Sequence, residues 1–122
     1  MDFKFYYEQQ KRLQELFKAK YPGAEALHTG NTVLDETKFK EHVLLMIKEI
    51  VEILDEINYK PHRHQHVHNK KPLNKERITE EIVDAFKYLM NLMLIFGIEA
   101  DEFEKKYIEK HQIVKQRIYN NL

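Results

Sequence analysis

The chain has 122 residues but no cysteine or tryptophan, and it contains only three glycines and three prolines. Without cysteine it can form neither disulfide bonds nor thiolate metal sites, which is compatible with a cytoplasmic location. Its 20 basic residues balance 20 acidic residues, a composition that does not favour a nucleic-acid or membrane surface. The longest apolar run, YLMNLMLIFGI, is too short to cross a bilayer, and no signal-peptide stretch opens the sequence. We therefore expect a cytoplasmic protein that binds neither nucleic acid nor membrane.

Hydrophobic periodicity predicts four helices and almost no strand, so the expected fold class is all-α, with residues 1–122 forming one domain. The helices are predicted at about residues 2–20, 35–58, 74–96 and 100–119. Asp35 and Asn74 are the predicted N-caps of the second and third helices, and Gly97 is the predicted end of the third. One stripe of the second helix repeats at helical spacing and is predicted to be core: Val43, Ile47, Ile50, Leu54 and Ile57.

Two acidic motifs interrupt apolar stretches of the predicted second and third helices. EIVEIL contains Glu49 and Glu52, and EEIVDAF contains Glu81 and Asp84, in each case three residues apart. Residues at this spacing share a helix face, and the neighbouring turns offer few basic partners. Clustered carboxylates repel one another and are costly to desolvate, so a divalent cation would stabilise them. Oxygen ligands suit Mg²⁺, with Mn²⁺ as a substitute, and the alternative is an ordinary solvated helix face.

Other residues have the chemistry to bind a phosphorylated ligand. A polar line on the predicted third helix continues past the acids to Tyr88 and Asn91. Lys60 and Arg63 follow the first acidic motif closely, and one face of the last helix carries Tyr107, Lys110 and Arg117. Cations at these positions are candidates for phosphate contacts, and the tyrosines are candidates for contacts with a nucleoside.

The acidic motifs resemble those of the all-α nucleoside triphosphate pyrophosphohydrolases, the superfamily of the MazG-like enzymes and the dimeric dUTPases. The resemblance covers about residues 41–117. The signature of that superfamily is Glu-x-x-Glu on one helix and Glu-x-x-Asp on the next, matched here by Glu49, Glu52, Glu81 and Asp84. The resemblance implies that these four carboxylates bind Mg²⁺ in a MazG-like, four-helix bundle-like core.

The dimeric dUTPase branch adds two patterns that this chain matches only in part. An Asn, aromatic, Lys stretch is matched by Asn58, Tyr59 and Lys60, although Tyr59 replaces the more usual Trp. A last-helix pattern of Tyr-x-x-Lys followed by Asn and Arg is matched by Tyr107, Lys110 and Arg117, with Val114 in place of the Asn. Lys87 also stands where that branch often has His. The resemblance therefore implies these substrate-binding residues but does not carry over a nucleobase preference.

The resemblance implies hydrolysis of a nucleoside triphosphate, dUTP or dCTP among the candidates, to the monophosphate and pyrophosphate. Glu49 and Glu52 are the candidate catalytic residues, with Glu52 as the acceptor of a proton from the attacking water. A homodimer or homotetramer is expected, because the third helix is apolar on nearly every side and needs covering all round.

Three alternatives stay open at the level of sequence. In order, they are a pyrophosphohydrolase for a purine or modified nucleotide, a transition-metal-binding helical bundle and a non-enzymatic interaction protein. The second is suggested by the alternating His62, His64, His66 and His68. That histidine segment lies between two prolines and lacks a helical period, so a solvated loop is its simpler interpretation.

Overall fold

The computed structural model describes residues 2–21, 23, 27–57 and 73–121. These residues form four α-helices and no strand: α1 Phe3–Lys20, α2 Thr32–Glu56, α3 Lys75–Ile95 and α4 Ala100–Asn120. The all-α prediction is therefore confirmed. No helix within these ranges is long and apolar enough to cross a membrane.

The start of α2 differs from the sequence prediction. The N-cap is Asn31, whose side chain accepts a hydrogen bond from the Leu34 N–H at 3.2 Å. Asp35, the predicted cap, lies inside the helix and turns back to accept from the Thr29 N–H at 2.9 Å and the Thr29 hydroxyl at 2.7 Å. The prediction for Asp35 is wrong because both residues are good caps, and contacts with the preceding loop decided between them.

The two ends of α3 agree with the prediction. The Asn74 side chain caps its start by accepting from the Arg77 N–H at 3.1 Å. After the helix, the Gly97 N–H donates to Leu94 O at 3.1 Å and the Ile98 N–H donates to Met93 O at 2.9 Å. Gly97 adopts a φ of 67°, which glycine accepts without steric cost. The helix therefore ends in a Schellman motif.

The buried core lies where α1 crosses the second half of α3. Tyr7, Met90, Met93, Leu94 and Ala100 form one buried cluster, and the Tyr7 hydroxyl donates to the Ile98 carbonyl oxygen. The Phe3 ring extends this cluster, with its centroid 6.3 Å from Phe86 and 4.9 Å from Phe103. This packing attaches α1 and the start of α4 to α3.

The closest helix pair is α2 with α3, which run antiparallel, and it presents apolar side chains outward. Ile47 and Ile50 of the predicted core stripe are 48% and 46% exposed. Ile57 is also exposed, whereas Val43 and Leu54 are only partly buried. Within one chain, the prediction that this stripe forms core is wrong for Ile47, Ile50 and Ile57, because a different side of α2, which carries the acids of the first motif, faces α3.

Helix α4 has the fewest neighbours in the described part of the chain. It packs against α1 and makes no close backbone approach to α2 or α3. From Lys105 onward every described residue of α4 is exposed. The four helices therefore do not close into a complete bundle within a single chain.

Candidate functional site

The antiparallel packing of α2 on α3 brings the two acidic motifs together. Carboxylate oxygens of Glu49, Glu52 and Glu81 lie within 4.8 Å of one another. Asp84 lies beside them, close enough for its charge to raise the pKa of Glu49 and of Glu81. We call these four side chains the carboxylate cluster. All four residues that the sequence singled out as metal ligands thus occupy one place on the α2–α3 contact.

Electrostatics within the cluster disfavour full ionisation. The pKa of Glu49 is raised above its ordinary value by desolvation, by the charges of Glu52, Asp84 and Glu81, and by a hydrogen bond with Glu52. The pKa of Glu81 is raised by desolvation and by Glu52 and Asp84, with Arg77 acting in the opposite direction. The negative charges of the four carboxylates therefore repel one another.

Arg77 of α3 lowers the pKa of Glu81 but is itself paired with another acid. The Arg77 guanidinium forms an ion pair with Glu56, in which Nε and Oε1 are 3.0 Å apart. One carboxylate oxygen of Glu81, Oε2, is shielded from solvent and has no hydrogen-bond partner among the described residues. A buried carboxylate oxygen without a donor is costly unless a cation or a proton satisfies it. The donor set, four carboxylates and no sulfur or imidazole, fits a hard divalent cation such as Mg²⁺.

A cleft of about 740 Å³ opens between α1, α2 and α3 beside the cluster. Glu49 and Asp84 line it, so part of the carboxylate cluster faces this space. A volume of this size is typical of small-molecule sites. The other described lining residues are Gln10, Gln14, Phe17, Leu27, Lys38, Glu41, His42, Leu45, Lys87, Tyr88 and Asn91.

The two α3 residues predicted to contact substrate, Tyr88 and Asn91, both line the cleft. The Tyr88 ring packs edge-on against the His42 ring of α2, with centroids 5.9 Å apart. Asn91 is only 5% exposed, and its Oδ1 accepts a hydrogen bond from Gln10 Nε2 at 2.9 Å. Tyr88 is therefore the more accessible of the two, while Asn91 is tied into the wall formed by α1.

Sequence reasoning missed the contribution of α1 to the cleft. Gln10 and Gln14 fall in line with Phe3, Tyr7 and Phe17 at four-three-four-three spacing, so two amides interrupt an otherwise aromatic stripe. Such an interruption was visible in the sequence and could have marked a polar wall. His42 of α2 and Lys87 of α3 were also not predicted to line a site. Both lie one or two turns from the acids, and Lys87 stands where the dimeric dUTPase branch often has His.

The remaining predicted substrate-binding residues are not brought to the cleft in the described structure. Tyr107, Lys110 and Arg117 are exposed on α4 and do not line the cleft of their own chain. Asn58, Tyr59, Lys60 and Arg63 lie outside the described residues, as does the histidine segment 62–68. The roles predicted for these residues stay predictions.

Comparison with known proteins gives no family assignment. No protein-family model matches the chain, and no curated protein or solved structure is significantly similar to it. The resemblance to the pyrophosphohydrolases therefore depends on the sequence motifs alone.

Proposed function

We propose that the protein is a Mg²⁺-dependent nucleoside triphosphate pyrophosphohydrolase, which converts a nucleotide to its monophosphate and pyrophosphate. One observation carries the proposal: Glu49, Glu52 and Glu81 converge to within 4.8 Å of one another beside a cleft of about 740 Å³. Within the described residues no cation forms an ion pair with these four carboxylates, and a cluster of this kind has little structural value in itself. Next to a cleft of nucleotide size, it suits the binding of metal and phosphate together.

Each group of residues has a defined part in this reaction. Glu49, Glu52, Glu81 and Asp84 would hold the cation, which supplies charge neutralisation for the phosphates and acidifies a bound water. Glu52, which lies beside Glu49, would accept the proton from the attacking water. Tyr88, on the cleft wall, would contact the nucleoside.

Assembly into a homodimer or homotetramer is part of the proposal. Large apolar side chains are exposed on the outer sides of both central helices, among them Ile47, Ile50 and Val51 of α2 and Ile82 and Val83 of α3. Contiguous exposed apolar surface of this kind is typical of subunit interfaces. Oligomerisation would cover it and complete a four-helix, MazG-like arrangement that one chain leaves open. It would also give Tyr107, Lys110 and Arg117 of α4 a route to the cleft of a neighbouring copy.

The reaction is tested by incubating the protein with each common ribonucleotide and deoxynucleotide in the presence of Mg²⁺ or Mn²⁺. Pyrophosphate and monophosphate should appear in a one-to-one ratio, because attack at the α-phosphorus leaves the outer two phosphates joined. Chelation of the metal should abolish turnover. A diphosphate with orthophosphate as products, or turnover that is unaffected by chelator, would contradict the proposal.

A further inference from the structure

Lys87 enters the cleft from α3 and is held there by a buried amide of α1. Its Nζ donates to Gln10 Oε1 at 3.3 Å, and Gln10 Nε2 donates in turn to Asn91 Oδ1 at 2.9 Å. Gln10 and Asn91 are only 4% and 5% exposed. Two buried side chains therefore set the position of one half-buried ammonium group that lines the cleft.

This arrangement exceeds what a structural link between α1 and α3 needs. The Gln10–Asn91 hydrogen bond already joins the two helices. Confining a lysine side chain costs about 2 kcal/mol of rotamer entropy, and its ammonium is strongly hydrated when free. Within the described residues no carboxylate forms an ion pair with Lys87, so its positive charge is left available toward the cleft.

Lys87 lies close to the carboxylate cluster along α3. Lys87 follows Asp84 by three residues on α3, a displacement of about 4.5 Å along a helix axis, and both residues line the cleft. The distance between adjacent phosphorus atoms of a polyphosphate is less than this displacement. A triphosphate contains two such distances, so a triphosphate bound at the cluster is long enough to reach the position of Lys87.

We propose that Lys87, positioned by Gln10, binds the phosphate chain of the substrate on the α1 side of the carboxylate cluster. The proposal rests on the proposed function and adds to it a residue that neither acidic motif contains. A charge-assisted contact with phosphate is the strong form of hydrogen bond, and its loss from a partly desolvated cleft is expected to weaken binding roughly tenfold or more.

The test uses inorganic triphosphate, so that no nucleobase preference needs to be known. Its binding to the intact protein is measured calorimetrically in the presence of Mg²⁺ for the parent, Lys87→Met and Lys87→Arg. Lys40→Met, at an exposed lysine of α2 outside the cleft, is the matched control. We expect Lys87→Met to weaken binding about tenfold or more, Lys87→Arg to retain most of it, and Lys40→Met to leave it unchanged.

Thermal melts of the same variants separate binding from a structural role. If Lys87 serves only to join α1 to α3, Lys87→Met will lower the melting temperature and bind triphosphate within about twofold of the parent, which overturns the proposal. A parent protein that binds no triphosphate overturns it as well. Should Lys87→Met fail to fold, Lys87→Gln, which keeps a donor for Gln10 without the charge, is measured instead with the same expectation.

The outcome for Lys87 is distinguishable from the outcome for the proposed reaction. Lys87-dependent binding of triphosphate by a protein that hydrolyses no nucleotide would contradict the pyrophosphohydrolase function and support the phosphate contact. Conversely, an active enzyme whose triphosphate affinity and KM are the same in Lys87→Met as in the parent would contradict the role of Lys87 alone.

Discussion

Replacing Glu49 by Gln should stabilise the metal-free protein while reducing its activity. Carboxylate oxygens of Glu49 and Glu52 lie within 4.8 Å, a separation at which two unit charges repel by about 0.9 kcal/mol in water and about 3.5 kcal/mol at an effective dielectric constant of about 20. Solvent screening at this half-exposed site favours the lower end, so we expect a gain of about 1–2 kcal/mol. For a domain of this size that corresponds to a rise in melting temperature of about 3–8 °C.

The pH dependence of this gain follows from the direction of the pKa shift. The folded-state pKa of Glu49 is raised above its ordinary value of 4.5, so between these two values the folded protein binds more protons than the unfolded chain. The carboxylate cluster therefore destabilises the fold least below pH 4.5, and the destabilisation grows as the pH rises through the raised pKa of Glu49. The advantage of Glu49→Gln over the parent should be largest near neutral pH and should shrink as the pH falls toward 4.5.

The assay is a thermal melt of parent and variant in chelator across this pH range, beside a pyrophosphate assay in Mg²⁺. Turnover of Glu49→Gln should fall by ~10² or more, as is common for loss of a key electrostatic group. Glu36→Gln, at an exposed acid of the same helix, should change neither property appreciably. A Glu49→Gln protein that melts below the parent, or that hydrolyses nucleotides at the parental rate, would refute the assignment of Glu49 to an electrostatically strained metal site.

Three further outcomes are expected. Mg²⁺ at 100 times its Kd should stabilise the folded parent by about 2.7 kcal/mol and so raise its melting temperature. The melting temperature of Glu81→Gln should rise less. Equal rises for the two proteins in calorimetric melts would contradict a place for Glu81 in the site. Asp35→Asn should destabilise the protein at neutral pH, because hydrogen bonds from Thr29 stabilise the ionised carboxylate and lower the pKa of Asp35. The difference in melting temperature between variant and parent should disappear as the pH falls below 3.8, the ordinary pKa. A difference that persists in acid would contradict this. Ile82→Asp should split an oligomer seen by light scattering, because it places a charge in the exposed apolar surface of α3. A parent that is monomeric at micromolar concentration would contradict oligomerisation.

Much of the secondary structure and part of the candidate site could be predicted from the sequence, because both depend on local spacing. The N-cap of α3 and the glycine after α3 are short-range signals that act within one turn. The acidic pairs, Glu49 with Glu52 and Glu81 with Asp84, were recognisable because each lies three residues apart in apolar surroundings. Their convergence depends on the antiparallel packing of α2 on α3, two helices that follow one another in the chain.

Which neighbour each helix face meets was decided only by the tertiary structure. Periodicity shows that Ile47 and Ile50 share a side of α2, but it does not say whether that side meets α3 or the surface. For the same reason periodicity did not predict the contacts of Gln10, because its partners Lys87 and Asn91 lie more than 70 residues away in the chain. Periodicity also did not predict that α4 lies away from the cleft, because Tyr107 and Lys110 share a helix face whatever that face contacts. Spacing along a helix is a local property, whereas burial, charge compensation and the shape of a cleft depend on residues that only folding brings together.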